Sequence, residues 1–265
     1  MNNTTRPGAE ASAATDRVII TEHQLQELML SLSPGGTGHL TELSDAQGQP
    51  LLTDGRPTPV FELLYHAFAE QRAAMVVART DLSTGQNTAR YMWLSAHGVL
   101  YTEPDGAGHV ALQGELGGSM FRTLLDMVDI GPRPSPRHGV ERVEIPEELL
   151  GQAADFQHGH DQPAQALRKI AEKVRAQAPE IADCLRLGSA ELVTFSAEWL
   201  SEHGPAEDGL IFIKTPAGYL YHLNERGMFR HKNYVEPAAG WVVWAKITAR
   251  LPQPDDIASW LPADV

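Results

Sequence analysis

Gly98-Val99-Leu100-Tyr101 returns 120 positions later as Gly218-Tyr219-Leu220-Tyr221. Sliding the whole of Tyr91 to Pro134 by that offset lays it on Ile211 to Pro254 without a gap, and Pro132-Arg133-Pro134 falls on Pro252-Gln253-Pro254. Identities are few (Gly98, Leu100, Tyr101, Pro132 and Pro134), but the pattern repeats throughout. Each copy runs as an apolar strand, a turn ending in Gly, a second strand, a polar hairpin, a short strand and an amphipathic helix closed by Pro-x-Pro. Phe121, Leu124, Leu125 and Val128 fall on Trp241, Trp244, Ala245 and Thr248. That spacing gathers one helix face and marks these as the expected buried positions. Such a repeat constrains the fold before any local assignment does. It predicts an α+β protein, a unit of antiparallel strands followed by a helix, duplicated about a pseudo-two-fold axis. The plainer alternative is two ordinary hairpin–helix units that match by chance.

Working outward, Ala73 to Thr80 and Glu191 to Ala197 read as matching strands that precede each copy. Residues 1–17 are expected to form a disordered tail, 18–134 the first half, 135–188 a helical connection and 189–265 the second half of one integrated domain. Thr21 with Gln24 makes a capping box for a helix carrying Leu25, Leu28, Met29 and Leu32. Thr37 to Thr58 reads as a polar connection, and Ser119 as the cap of the first repeated helix.

Composition narrows the partners. With 34 acidic against 21 basic residues the net charge is −13, the wrong sign for neutralising phosphates or an anionic bilayer. Cys184 is the one cysteine, so no internal disulfide forms and a reducing compartment is expected. Met1 to Asp16 lacks the apolar stretch of a signal peptide, and no apolar run is long enough to span a bilayer. A cytoplasmic protein without membrane insertion is expected.

Chemistry-bearing motifs are sparse. Gly114 to Gly118 precedes a helix but has no Lys and carries Glu115, which would repel phosphate. No Gly-x-Ser-x-Gly elbow occurs. Cys184 reads as an inert thiol between Ile181 and Leu185. His158-Gly159-His160-Asp161 holds two imidazoles and a carboxylate, but a metal site needs further ligands from a separate rigid element, and nothing calls His138 or His203 there. Phe229-Arg230-His231-Lys232 is basic and aromatic, with nucleic-acid contact weighed against a half-exposed strand. No catalytic residue, metal or cofactor is assigned.

Met92-Trp93-Leu94 with Gly98-Val99-Leu100-Tyr101, the helix from Phe121 to Ile130 with its prolines, Val143-Glu144-Ile145-Pro146, and Gly218-Tyr219-Leu220-Tyr221 with Trp241 together resemble the EspG family of actinobacterial type VII secretion chaperones. The likeness covers Thr21 to Pro254. It implies a cytosolic, non-enzymatic chaperone that holds a helical PE–PPE-like secretion substrate. Two other readings stand beside it: a binding or immunity-type protein that sequesters another protein, and an enzyme using the His158/His160 loop. A chaperone needs an exposed apolar surface. Tyr219 and Tyr221 alternate with Leu220, so one face meets the helix and the other is left for a partner. Tyr219, Tyr221 and Phe229 are therefore the candidate partner-binding residues, with completion of the core as the alternative role for each.

Overall fold

The computed structural model describes residues 17–32, 40–96, 98–106, 108–115, 119–134, 141–146, 148–155, 161–201, 203–226 and 231–260. The first half contains β1 (Arg17–Thr21), α1 (Glu22–Leu32), β2 (Leu43–Ser44), β3 (Pro50–Thr53), β4 (Arg56–Pro57), α2 (Glu62–Ala69), β5 (Ala73–Asp81), β6 (Asn87–Ser95), β7 (Gly98–Gly106), β8 (His109–Glu115) and α3 (Met120–Val128). The connection carries β9 (Val143–Ile145), α4 (Glu148–Ala154), α5 (Asp161–Val174) and α6 (Pro179–Arg186). The second half is β10 (Glu191–Ser201), β11 (Gly204–Thr215), β12 (Gly218–Arg226), β13 (His231–Ala238), α7 (Gly240–Thr248) and α8 (Pro254–Trp260).

Ten strands form one antiparallel sheet in the order β1-β8-β7-β6-β5-β10-β11-β12-β13-β9. Read outward from its centre, the two sides are the same structure: β5 answers β10, β6 answers β11, β7 answers β12, β8 answers β13 and β1 answers β9. Strands β7 and β12, and helices α3 and α7, begin at the predicted 120-residue offset. Gly98 and Gly218 open their strands with φ of 142° and 143°, a conformation that L side chains avoid. The chain is therefore an α+β protein built on a duplicated unit, as its sequence predicts.

Alternation sorts each strand between two faces. On the first face, Met75, Val77, Val193, Phe195 and Phe212 pack beneath Leu124 and Met127 of α3 and Val243 and Ile247 of α7. On the second face, α1, α2 and the small β2-β3-β4 sheet cover Trp93, Leu100 and Leu112 of the first half. Helices α4, α5 and α6 cover Leu192, Ile213 and Leu220 of the second half.

The Thr21–Gln24 capping box forms as expected: Thr21 N–H donates to Gln24 Oε1 at 2.9 Å, and Gln24 N–H to Thr21 Oγ1 at 3.1 Å. Four expectations change. Part of the polar connection before Thr58 folds as the β2-β3-β4 sheet, and the edge strand β1 begins on Arg17, the last residue of the expected tail. Ser119 precedes α3 without capping it, its side chain bonding Glu115 instead. The buried stripe of α3 runs through Met120, Thr123, Leu124, Met127 and Val128, and that of α7 through Gly240, Val243 and Ile247. Phe121 and Leu125 therefore lie outside, as does Trp241.

One ionic cluster joins the halves on the first face. Asp129 ends α3 in the left-handed region (φ 50°) and turns its carboxylate to Lys214 of β11. Lys214, only 7% exposed, also meets Glu191 of β10 at 2.8 Å, and Arg79 of β5 donates to both Glu191 oxygens at 2.7 and 2.9 Å. Burial pushes both carboxyls up, but Lys214 and Arg79 outweigh it and hold Asp129 and Glu191 below their ordinary range. Carboxyls held low stabilise the fold above their ordinary values of 3.8 and 4.5, and that contribution is lost as pH falls through the depressed values. Lys214→Met should lose roughly 2 kcal/mol at neutral pH, less than a fully buried pair because Asp129 is half exposed. It should also lose less than the wild type between pH 7 and pH 3 in urea titrations. An equal acid loss in both proteins would mean that other carboxylates carry the effect.

Candidate protein-binding surface

Tyr219 and Tyr221, expected as partner anchors, are core residues at 0% and 3% exposure. Both face α7, and Leu220 between them is sealed beneath α4, α5 and α6. The alternation was read correctly, but the connection covers the face that it was expected to leave open. The Tyr219 hydroxyl accepts from Gly131 N–H and Arg133 Nε, both at 3.1 Å, and donates to the Gly131 carbonyl at 3.0 Å. It thus clasps β12 to the segment that leaves α3. Tyr221 lies opposite Glu236 of β13 and beneath Lys246, while its repeat mate Tyr101 donates to Glu115 at 2.9 Å. Burial first, and the adjoining carboxylate second, push both phenols up to about 12. Phe229, His138, His158 and His160 lie outside the described residues.

The open surface is the second face of the four central strands. Cross-strand register arranges it in rows running β6, β5, β10, β11: Ala89–Ala78–Thr194–Ile211, then Tyr91–Val76–Ser196–Gly209, then Trp93–Ala74–Glu198–Glu207. Trp93 is buried; the other eleven are exposed or half-buried. Their strand neighbours at the centre of the first face, Met75, Val77, Val193, Phe195, Ala197, Leu210 and Phe212, are buried. Antiparallel sheets often leave one face to water, but such faces normally carry polar, charged side chains. The first two rows hold no charge, and small residues line their floor. Tyr91 stacks on Trp93 (centroids 5.8 Å, planes 8° apart), and Trp93 packs on Phe68 of α2 at 4.6 Å, giving a firm aromatic wall. The result is a shallow trough between the α2 layer and the α4–α6 layer. Gly209 is required within it, since a Cβ there would come within 2.8 Å of the Phe195 carbonyl oxygen.

The third row ends the trough in two carboxylates. Glu198 and Glu207 sit directly opposite one another, both exposed, a cross-strand placement that puts their Cβ atoms about 5 Å apart. Arg250 is engaged elsewhere, with Asp208 at 3.4 Å and the Gly209 carbonyl at 2.9 Å. Beyond the pair, Leu200 is 43% exposed.

A second apolar feature stands on the opposite layer. Phe121 on α3 and its repeat mate Trp241 on α7 are 53% and 73% exposed, each standing off its helix. At the β9–β13 edge, a depression is lined by Glu141, Arg142, Glu144, Tyr234 and Glu236. Its charged groups are engaged: Arg142 lies 4.5 Å over the Tyr234 ring, and Glu144 meets the neighbouring Lys232 at 3.0 Å. Among the described residues no three of His, Cys, Asp and Glu gather where they could hold a metal ion. No helix among them is long and apolar enough to cross a membrane.

No protein-family model matches the sequence, and comparison with curated proteins finds no match. Fourteen chains of solved structures match it. One is the Mycobacterium tuberculosis type VII secretion system chaperone EspG5, in complex with a PE25–PPE41 dimer, at a TM-score of 0.50 and 10% identity, covering 93% of this chain and 97% of that one. At that identity the likeness is one of fold: this chain has an EspG-like architecture along nearly its whole length.

Two substitutions check these assignments. Tyr219→Phe should cost about 1–2 kcal/mol in chemical denaturation, because the Gly131 groups and Arg133 lose a shared buried partner. Glu207→Gln should gain roughly 0.5 kcal/mol by relieving like-charge repulsion, and a loss instead would mean that Glu207 has a stabilising role in the fold.

Proposed function

We propose that this chain is a non-enzymatic, cytosolic chaperone or adaptor that holds a helical segment of a type VII secretion substrate in the central trough. The observation that carries the reading is the uncharged, small-to-apolar second face of β6, β5, β10 and β11, which among the described residues stays no more than half-buried at its centre, between two helical layers. Exposed surface of that kind marks interaction sites. With strands about 4.8 Å apart and about 3.3 Å per residue along them, the rows span roughly 14 by 13 Å. That is room for one helix about 10 Å across, and not for two side by side. Ala78, Ser196 and Gly209 would let a partner's backbone approach closely, while Tyr91, braced on the buried Trp93, offers rigid aromatic contact.

The fold likeness to a secretion chaperone supports the same reading. A partner of the PE–PPE type, two helical proteins presented as a unit, would offer such a helix. A sequestering protein of another kind could use the same face. The captured partner's identity separates the two.

Val76→Arg and Ser196→Arg should each abolish co-purification of a PE–PPE-like partner at fixed stoichiometry. The expected loss is about two orders of magnitude in affinity without a lower Tm, because both side chains are partly open to water. Trp241→Ala should leave capture intact. If Trp241→Ala abolishes capture and Val76→Arg does not, the docking surface is the α3–α7 layer. Recovery of an unrelated toxin or regulator would favour sequestration.

A further inference from the structure

We infer that the partner helix seated on this face carries a lysine or arginine that docks between Glu198 and Glu207. The inference rests on the trough being the docking face, and it adds the chemistry by which a partner is selected. Cross-strand neighbours in antiparallel sheets normally pair opposite charges, and like charges placed directly opposite are destabilising. Here two carboxylates face each other across β10 and β11, in a chain of net charge −13. Among the described residues no Lys or Arg forms an ion pair with either. Arg250, the cation beside this stretch of β11, is committed to Asp208 and the Gly209 carbonyl. Asp208 lies opposite Ala197, a residue of the first-face core, so that cation serves the other side of the sheet. Arg72, exposed across from Leu200 one row on, forms no ion pair with either carboxylate, so the like charges still face each other at one end of an uncharged trough, where a docked cation would relieve them and be partly removed from water by the same contact.

The register also fixes where the cation must sit. Along β10 the open face reads Ser196, Glu198 and Leu200 in successive rows, about 6.6 Å apart. A helix lying along the strand rises about 1.5 Å per residue, so one row corresponds to about four residues. The matching partner face therefore has a small residue at i over Val76 and Ser196, Lys or Arg at i+4 over the carboxylates, and an apolar residue at i+8 over Leu200.

The probes are three fluorescein-labelled, stapled helical peptides of about 16 residues, or roughly four turns. Each has Ala at i and Leu at i+8, with Lys, Gln or Glu at i+4, and is titrated into the full chain by anisotropy. The Lys peptide should bind about tenfold more tightly than the Gln peptide, as expected for one close charge contact, and the Glu peptide most weakly. Glu198→Gln/Glu207→Gln should erase that order while still binding the Gln peptide, and Val76→Arg should abolish binding of all three. Equal binding of the Lys and Gln peptides, or a Lys preference that survives the double substitution, overturns the inference and leaves the docking face in place. Failure of all three peptides to bind overturns the docking face with it.

Discussion

The antiparallel pairing of β5 with β10 is the constraint on which the rest of this structure depends. It joins the two copies of the repeat along nine matched positions, from Ala73–Trp199 to Asp81–Glu191, and makes one sheet of two. Once that register is set, the parity of every central residue is set with it. Met75, Val77, Val193 and Phe195 must face α3 and α7, while Val76, Ala78, Thr194 and Ser196 must face the other way. A slip of one residue would bury the small, polar set and expose the large one. The ionic cluster of Arg79, Glu191, Lys214 and Asp129 stands at one end of this seam, and the Tyr219 clasp crosses between halves farther out. Both therefore reinforce a junction that hydrophobic alternation already specifies.

The halves are equal in topology and unequal in chemistry. Lys214 and Glu191, opposite one another on β11 and β10, correspond through the repeat to Leu94 and Ala73, opposite one another on β6 and β5, so a charged cluster at one end of the seam answers an apolar one at the other. The coverings differ too: a small sheet and two helices over one half, three helices over the other. The coverings reach the central strands at Leu192 and Ala74, but among the described residues neither buries Val76, Ala78, Thr194 or Ser196, which lie beside the axis itself. A trough on the two-fold is the natural remainder of duplicating a unit whose covering elements sit to one side.

Much of this architecture was legible in the sequence, and the reasons are local. Strand alternation, the glycines at 98 and 218 and the amphipathic helices each report on a few neighbouring residues, so the repeat could be read directly. The strand β1 was missed because its pairing is distant, Val18 meeting Leu112, and the β2-β3-β4 sheet because its strands are only two to four residues long. The open central face was missed for a related reason. Ala74, Ala78, Thr194 and Ser196 carry no signal singly, and they become a surface only when four strands are placed in register. Tyr219 and Tyr221 signal more strongly as single residues, and their aromatic character suits a core as well as an interface. The usable clue was Ala73 to Ala78, a run with no charge at either parity, which is how a strand reads when both its faces meet protein.

The central seam also has a consequence for how the chain is made. Met75 and Val77 wait for Ala197 and Phe195, which leave the ribosome more than a hundred residues later. At about 5–20 residues per second that delay is on the order of ten seconds, far longer than hairpins and helices need to form. Through that interval the first copy has its own strands and helix but only half of the core they share, and β5 is a free edge. The newborn chain thus passes through a stage at which pairing with another molecule competes with pairing to itself. Its yield in the cell should depend on how quickly residues 191–212 follow.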